Sequence, residues 1–224
     1  MAIEQEWRCG KTNPSDFIVT LKGDTLIYSG NGEKKGRMVD ENTPWHHYRN
    51  NVTTMVLQNS DEDLNMSIPF DCYKNLRVIN ISHNVKCDFL MGEFDENYNL
   101  TEINVDRNNM RYSSIDGVLY DKYQSTLIYC PQKTKAKEIN IPSTVRKIDA
   151  AAFRNCRELF SVTIPNVEEI GFGAFEGCTN LKFVKLPDGI KEIGSEVFGN
   201  CPNLKTVTIG TEIIDISTFV QMYH

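Results

Sequence analysis

Residues 147–209 read KIDAAAFRNCRELFSVTIPNVEEIGFGAFEGCTNLKFVKLPDGIKEIGSEVFGNCPNLKTVTI, and they say nearly the same thing three times. Phe153, Phe175 and Phe198 recur 22 and 23 residues apart. Five residues before each stands an isoleucine (Ile148, Ile170, Ile193), and three after it a cysteine (Cys156, Cys178, Cys201). Six after it comes a leucine (Leu159, Leu181, Leu204) that opens the pattern L-x-x-V-x-[IL]. A fixed period with matched apolar positions marks a repeat architecture. Each period offers about seven inward side chains, too few for their burial to offset the entropy of ordering the segment. One repeat therefore cannot fold alone; repeats must stack, each coil contacting its neighbours.

Within a coil, L-x-x-V-x-I alternates as a short strand does. Pro165 and Pro187 follow two of these strands and stop them. Next, Val167–Gly171 and Ile190–Gly194 turn back along the other wall, and the small residue before each phenylalanine starts a helical or 3-10 turn. Phe, Cys and Leu of each coil form the structural ladder, with the three cysteines as buried thiols acting as small hydrophobes.

The period is weaker upstream. Phe70 and Phe94 stand six residues before Leu76 and Leu100, but Tyr73 and Asn97 occupy the cysteine position. Between Leu100 and Leu159 lies an excess over one repeat, which holds two arms of a hairpin, Gly117–Tyr120 and Thr126–Tyr129. Residues 1–60 lack the repeat. Asp16–Gly30 reads as a hairpin turning at Lys22–Thr25, and Trp45 and Tyr48 lie in an aromatic cluster before a strand at Val52–Gln58. The expected division is a β-rich N-terminal cap at 1–60 and a solenoid at 61–224, with the hairpin elaboration at about 108–135. After Ile209 the pattern decays to a partial coil in which Ile214 and Phe219 keep the five-residue spacing.

The repeat [IV]-P-x-x-[VI]-x-x-I-G-x-x-[AV]-F-x-x-C-x-x-L-x-x-V-x-I resembles the BspA-like (treponemal-type) leucine-rich repeats of bacterial surface proteins. The stretches from Cys9 to Gln58 and from Ser114 to Pro131 are similar to elements that accompany such arrays. The resemblance implies an α/β, strand-rich leucine-rich repeat solenoid, a right-handed superhelix with short strands and short helical or 3-10 turns behind a β-rich cap. It also implies a secreted or cell-surface address and an adhesion or host-interaction role without catalysis. It names no ligand.

The composition bears on the same question. A net charge of −6 argues against nucleic acid as partner. No run of 18 apolar residues offers a membrane span, and MAIEQEWRCG shows no basic-then-apolar leader. No C-x-x-C pair invites zinc, and the adjacent rings of His46 and His47 point apart, which suits chelation poorly. Cys9, Cys72, Cys87 and Cys130 lie outside the ladder, and any disulfide would come from among them. Neither a nucleophile elbow nor a phosphate loop occurs. Glu102 and Glu138 fall at equivalent strand positions, read as a solvated rim, and Lys22-Gly23-Asp24 reads as a tight turn. No cofactor, metal or catalytic residue is expected.

A partner would meet the residues between the inward apolar positions. They form two columns: Val78, Glu102, Glu138, Ser161, Phe183 and Thr206, and then Asn80, Asn104, Asn140, Thr163, Lys185 and Thr208. The second is rich in uncharged hydrogen-bonding groups, and Phe183 supplies an aromatic anchor. Tyr112, Tyr120, Tyr123 and Tyr129 make the elaboration a second candidate surface. The expectation is a non-enzymatic module that binds a protein or cell-surface ligand. The rivals are a structural spacer in a surface array and a carbohydrate-binding module.

Overall fold

A computed structural model of the protein describes residues 4–30, 43–58, 68, 70–85, 89, 92–210 and 212–214. Phe219 and Cys87 lie outside them. The chain divides into two compact units, Met1–Ser113 and Ser114–His224.

The first unit holds one six-stranded sheet of strands β1 (Glu4–Arg8), β2 (Phe17–Lys22), β3 (Thr25–Gly30), β4 (Thr54–Gln58), β5 (Val78–Ile81) and β6 (Glu102–Val105), neighbours in chain order. The first three are antiparallel and the remaining pairings are parallel. The N-terminal hairpin thus runs into the repeat strands without a break, because β3 already pairs with β4 as one coil pairs with the next. Gly23, at φ 64°, makes the tight turn between β2 and β3. Asp24 closes it: its carboxylate accepts from the Thr53 hydroxyl and its carbonyl from the Thr53 N–H at 2.9 Å. Trp7, Trp45, Tyr48 and Tyr28 pack as an aromatic cluster with ring centroids 5.8–6.4 Å apart. Further along, Phe70 and Phe94 pack a coil apart, tilted at 48° with ring centroids 4.9 Å apart.

The second unit has two sheets. In chain order its strands are β7 (Tyr112–Ile115), β8 (Val118–Asp121), β9 (Thr126–Tyr129), β10 (Glu138–Asn140), β11 (Lys147–Ile148), β12 (Ser161–Thr163), β13 (Glu169–Ile170), β14 (Phe183–Leu186), β15 (Glu192–Ile193), β16 (Thr206–Ile209) and β17 (Glu212–Ile214). The L-x-x-V-x-I segments make the sheet β10-β12-β14-β16-β17, and the turning-back segments make β15-β13-β11-β9-β8-β7. The arms of the elaboration pair antiparallel as β8 and β9, and β9 continues in parallel with β11. Ile214 departs from its expected place. Strand β17 returns antiparallel along β16, so Ile214 pairs in register with Val207 instead of opening another coil.

One apolar cluster fills this unit, from Val118 to Val207. Phe153, Phe175 and Phe198 are fully or almost fully buried and stack at 4.8 and 5.6 Å, with planes 7° and 23° apart. Gly171 and Gly194 follow the reverse strands because coils meet there: a Cβ on Gly171 would lie 2.4 Å from the Ala150 nitrogen.

The third wall, around the phenylalanines, is no helix. The residues two before and two after each Phe (Ala151 and Asn155, Gly173 and Gly177, Glu196 and Asn200) have φ between 54° and 73°, which ends any helical run. The N–H groups of Ala151, Asn155, Gly173 and Gly177, with those of Phe153 and Phe175, turn outward to the next coil instead. Ala151, Phe153 and Asn155 donate to the carbonyls of Phe172, Ala174 and Glu176, at 2.7–2.9 Å. Gly173, Phe175 and Gly177 repeat this onto Ser195, Val197 and Gly199. Short 3-10 helices are found at Pro14–Asp16, His46–Tyr48 and Phe70–Cys72, all in the first unit.

Candidate functional site: the exposed strand faces

The scaffold beneath the strands is held by side chains that reach from coil to coil. The Cys178 thiol donates to the Phe153 carbonyl at 3.0 Å, Cys201 to Phe175 at 3.1 Å, and Cys156 to Cys130 at 3.5 Å. Cys130 therefore stands at the foot of the ladder, fully buried, and not outside it. Cys9, Cys72, Cys130, Cys156, Cys178 and Cys201 are all free thiols. Burial pushes the Cys178 thiol well above its ordinary range; Cys156 is raised first by its hydrogen bond with Cys130 and then by burial. These groups are structural donors, inert as nucleophiles.

Asn97 does the same work in the first unit. It is fully buried, and its Nδ2 donates to the Phe70 carbonyl at 2.7 Å and the Tyr73 carbonyl at 3.1 Å. A second set of donors precedes the repeat leucine: Asn75, Asn99, Asn180 and Asn203 each donate to a backbone carbonyl 23–25 residues earlier. The sequence carries this signal in the recurrent Asn-Leu pair, which an apolar reading passes over.

With the interior fixed, the outward residues align in register. In the first unit Val78 lies beside Glu102 and Asn80 beside Asn104, whose Nδ2 donates to the Asn80 Oδ1 at 3.2 Å. The same rows continue through Thr54 and Val56 to Thr25 and Ile27. In the second unit one row is Glu138, Ser161, Phe183 and Thr206, and the other is Asn140, Thr163, Lys185 and Thr208. Each expected column is thus two shorter rows. Strand β6 ends one sheet and β10 ends another, so Glu102 and Glu138 are not cross-strand partners. Phe183 is 48% exposed.

A third row, which strict alternation would turn inward, also reaches the surface. The Phe160 N–H bonds the Lys137 carbonyl, Lys182 bonds Phe160, and Lys205 bonds Lys182, at 2.7–3.1 Å. These residues follow the inward leucine at the very start of the strand, where the chain has not yet settled into the pleat. Phe160 is 36% exposed, 6.2 Å from Phe183 between ring centroids, and the Lys182 ammonium lies 4.7 Å over the Phe160 ring.

The other candidate surfaces are weaker. Of the four tyrosines in the elaboration, Tyr112, Tyr120 and Tyr129 are buried, and Tyr123 alone is exposed. A groove of about 440 Å³ lies between the Pro165 and Pro187 turns, beside Arg146, Glu168 and Asp188. The Lys191 ammonium bonds Glu168 and holds its carboxyl below the usual range, which suits an ion pair and not a general acid. Among the described residues no three His, Cys, Asp or Glu side chains converge to hold a metal, and no helix is long and apolar enough to cross a membrane.

The sequence pattern of the family described as BspA type leucine rich repeat region matches residues 124–222, in six copies. The fold of the chain is similar to a leucine-rich repeat protein from Eubacterium ventriosum (20% identity, 92% of this chain and 72% of that one, TM-score 0.57). It is also similar to the pneumococcal vaccine antigen PcpA (20% identity, 71% of this chain and 51% of that one, TM-score 0.51). Both likenesses concern the fold. None of the curated proteins matches the chain. The cysteine-to-carbonyl ladder and the three-walled coil are therefore how the matched array closes its interior and frees the strand faces.

Proposed function

We propose that the protein is a non-enzymatic binding module of a secreted or cell-surface bacterial protein, and that its exposed strand faces take a protein ligand. The observation that carries this reading is Phe183, a large apolar side chain about half exposed in the middle of a row of polar residues. An exposed aromatic there gains nothing for the fold, whereas an interface uses such residues as anchors. The BspA-type repeat supports the surface address. Burial of three of the four tyrosines in the elaboration leaves the carbohydrate-binding alternative with few stacking platforms. A structural spacer has no use for Phe183 at all.

The test is a binding panel of extracellular-matrix proteins and a glycan array, read with the full chain. Any ligand is then measured against Thr163→Arg and Phe183→Ala in the second unit and Asn80→Arg in the first. Weakening of about tenfold or more in at least one of them supports the reading. A ligand that binds all three like the wild type overturns it.

A further inference from the structure

Five lysines of this chain pair with carboxylates. Lys22 pairs with Glu4, Lys74 with Glu96, Lys133 with Glu158, Lys147 with Asp149 and Lys191 with Glu168, at 2.5–3.7 Å. The strand face of the second unit is different. Lys137, Lys182, Lys185 and Lys205 share it with Phe160 and Phe183, the rows hold one carboxylate, Glu138, and none of the four lysines forms an ion pair among the described residues. Four unneutralised ammonium groups around two exposed rings, in a chain of net charge −6, gather like charge where the fold gains nothing from it.

We infer that this face docks an acidic polypeptide segment bearing an apolar side chain, with Phe160 and Phe183 receiving the apolar group and Lys137, Lys182, Lys185 and Lys205 its carboxylates. The inference rests on the strand-face reading above and names its partner class. Neighbouring strands lie about 4.8 Å apart, so the row from Lys137 to Lys205 spans about 15 Å, the reach of four to five extended residues. Polypeptide fits better than a stacked sugar or base. The Phe160 ring is already covered by the Lys182 ammonium, and the two rings are inclined at 58°, which leaves a notch and not a flat platform. A uniform polyanion would also meet the net negative charge of the chain, whereas a short acidic segment meets chiefly the local lysines.

The test uses fluorescence anisotropy with the full chain and a fluorescein-labelled peptide of about twelve residues, in which pairs of Asp or Glu alternate with Phe or Leu. Comparison probes replace its acids by Lys, or its apolar residues by Ser, and heparin and a single-stranded oligonucleotide compete. The acidic apolar peptide should bind best and weaken as salt rises. Lys182→Glu with Lys205→Glu should weaken it about tenfold, Phe183→Ser several-fold, and Lys74→Glu in the first unit not at all. All these side chains are exposed or half-exposed, so unchanged melting temperatures confirm that the variants fold. Equal binding of the Lys-bearing peptide, absence of binding, indifference to the double reversal, or stronger binding of heparin or the oligonucleotide overturns the inference. If the peptide fails while a ligand from the panel is still lost in Phe183→Ala, only this inference falls and the strand-face reading stands.

Discussion

Replacing Phe175 by alanine probes the interior of the coil stack most directly. The side chain is fully buried and lies between Phe153, stacked at 4.8 Å, and Phe198, at 5.6 Å. The backbone around it is tied to both neighbouring coils, since the Phe175 N–H bonds the Val197 carbonyl of the next coil and the adjacent Ala174 carbonyl accepts the Phe153 N–H of the previous one. The site therefore cannot collapse by sliding one coil toward the next. A truncation of this kind costs about 3–5 kcal/mol, toward the upper end where the cavity persists. For a unit of roughly a hundred residues each kcal/mol moves the melting temperature by about 4–8 °C, so a drop of at least about 12 °C is expected. Phe183→Ala is the matched control: the same residue type, about half exposed, with an expected change within ~0.5 kcal/mol. Circular dichroism melts with urea titrations of both variants give the comparison. Similar losses in the two, or an unaltered Phe175→Ala, would refute the stacked interior.

Three further outcomes follow from the ladder and its turns. Asn97→Cys should leave urea stability within about 1 kcal/mol, because a thiol still donates toward Phe70 and the Asn97 Oδ1, which has no partner among the described residues, is removed; Asn97→Leu should lose ~1–3 kcal/mol. Gly171→Ala sets a methyl 2.4 Å from the Ala150 nitrogen and should cost ~1–3 kcal/mol in the same assay, with near-normal stability disproving the close approach. The pH dependence has a definite sign. Cys156 and Cys178 are raised well above the ordinary value of 9.0 and burial pushes Cys201 up to about 11, so the folded chain keeps protons that the unfolded chain releases. Stability from these thiols is complete below about pH 8 and falls above pH ~9, by up to ~1.4 kcal/mol per pH unit for each. Urea midpoints that stay level to about pH 10 would contradict it.

Much of this architecture was legible in the sequence, for a simple reason. Phe153, Cys156, Leu159 and Ile170 lie where one coil must match the next, so periodicity reports them directly. Asn97 escaped because an apolar reading asks what a position buries, whereas the stack asks what it can donate to the coil below; Cys and Asn answer that equally. The turn expected at each phenylalanine is present as single i→i+3 bonds, such as Cys156 N–H to the Phe153 carbonyl, but around Phe153, Phe175 and Phe198 it does not lengthen into a helix, since alternate N–H groups are claimed by the following coil. The extension of the sheet through β1–β3 was hidden because hairpin and repeat strands share one alternation. At the candidate site the rows from Ser161 to Thr206 and Thr163 to Thr208 were readable from spacing. Lys137, Phe160, Lys182 and Lys205 were not, because an alternation counted back from the inward residues Ile139, Val162, Val184 and Val207 assigns them to the inside.

The repeat length changes from 22 to 23 between successive phenylalanines, and the three walls determine where that difference can go. Between Ile170 and Pro187 every wall position keeps the 22-residue offset from its counterpart one coil earlier, whereas Pro165-Asn166-Val167 becomes Pro187-Asp188-Gly189-Ile190. The added residue enters at the corner that follows the strand, on the lip of the groove beside Arg146 and Glu168. Insertions there can reshape that lip while the Phe and Cys ladders of the second unit stay in step.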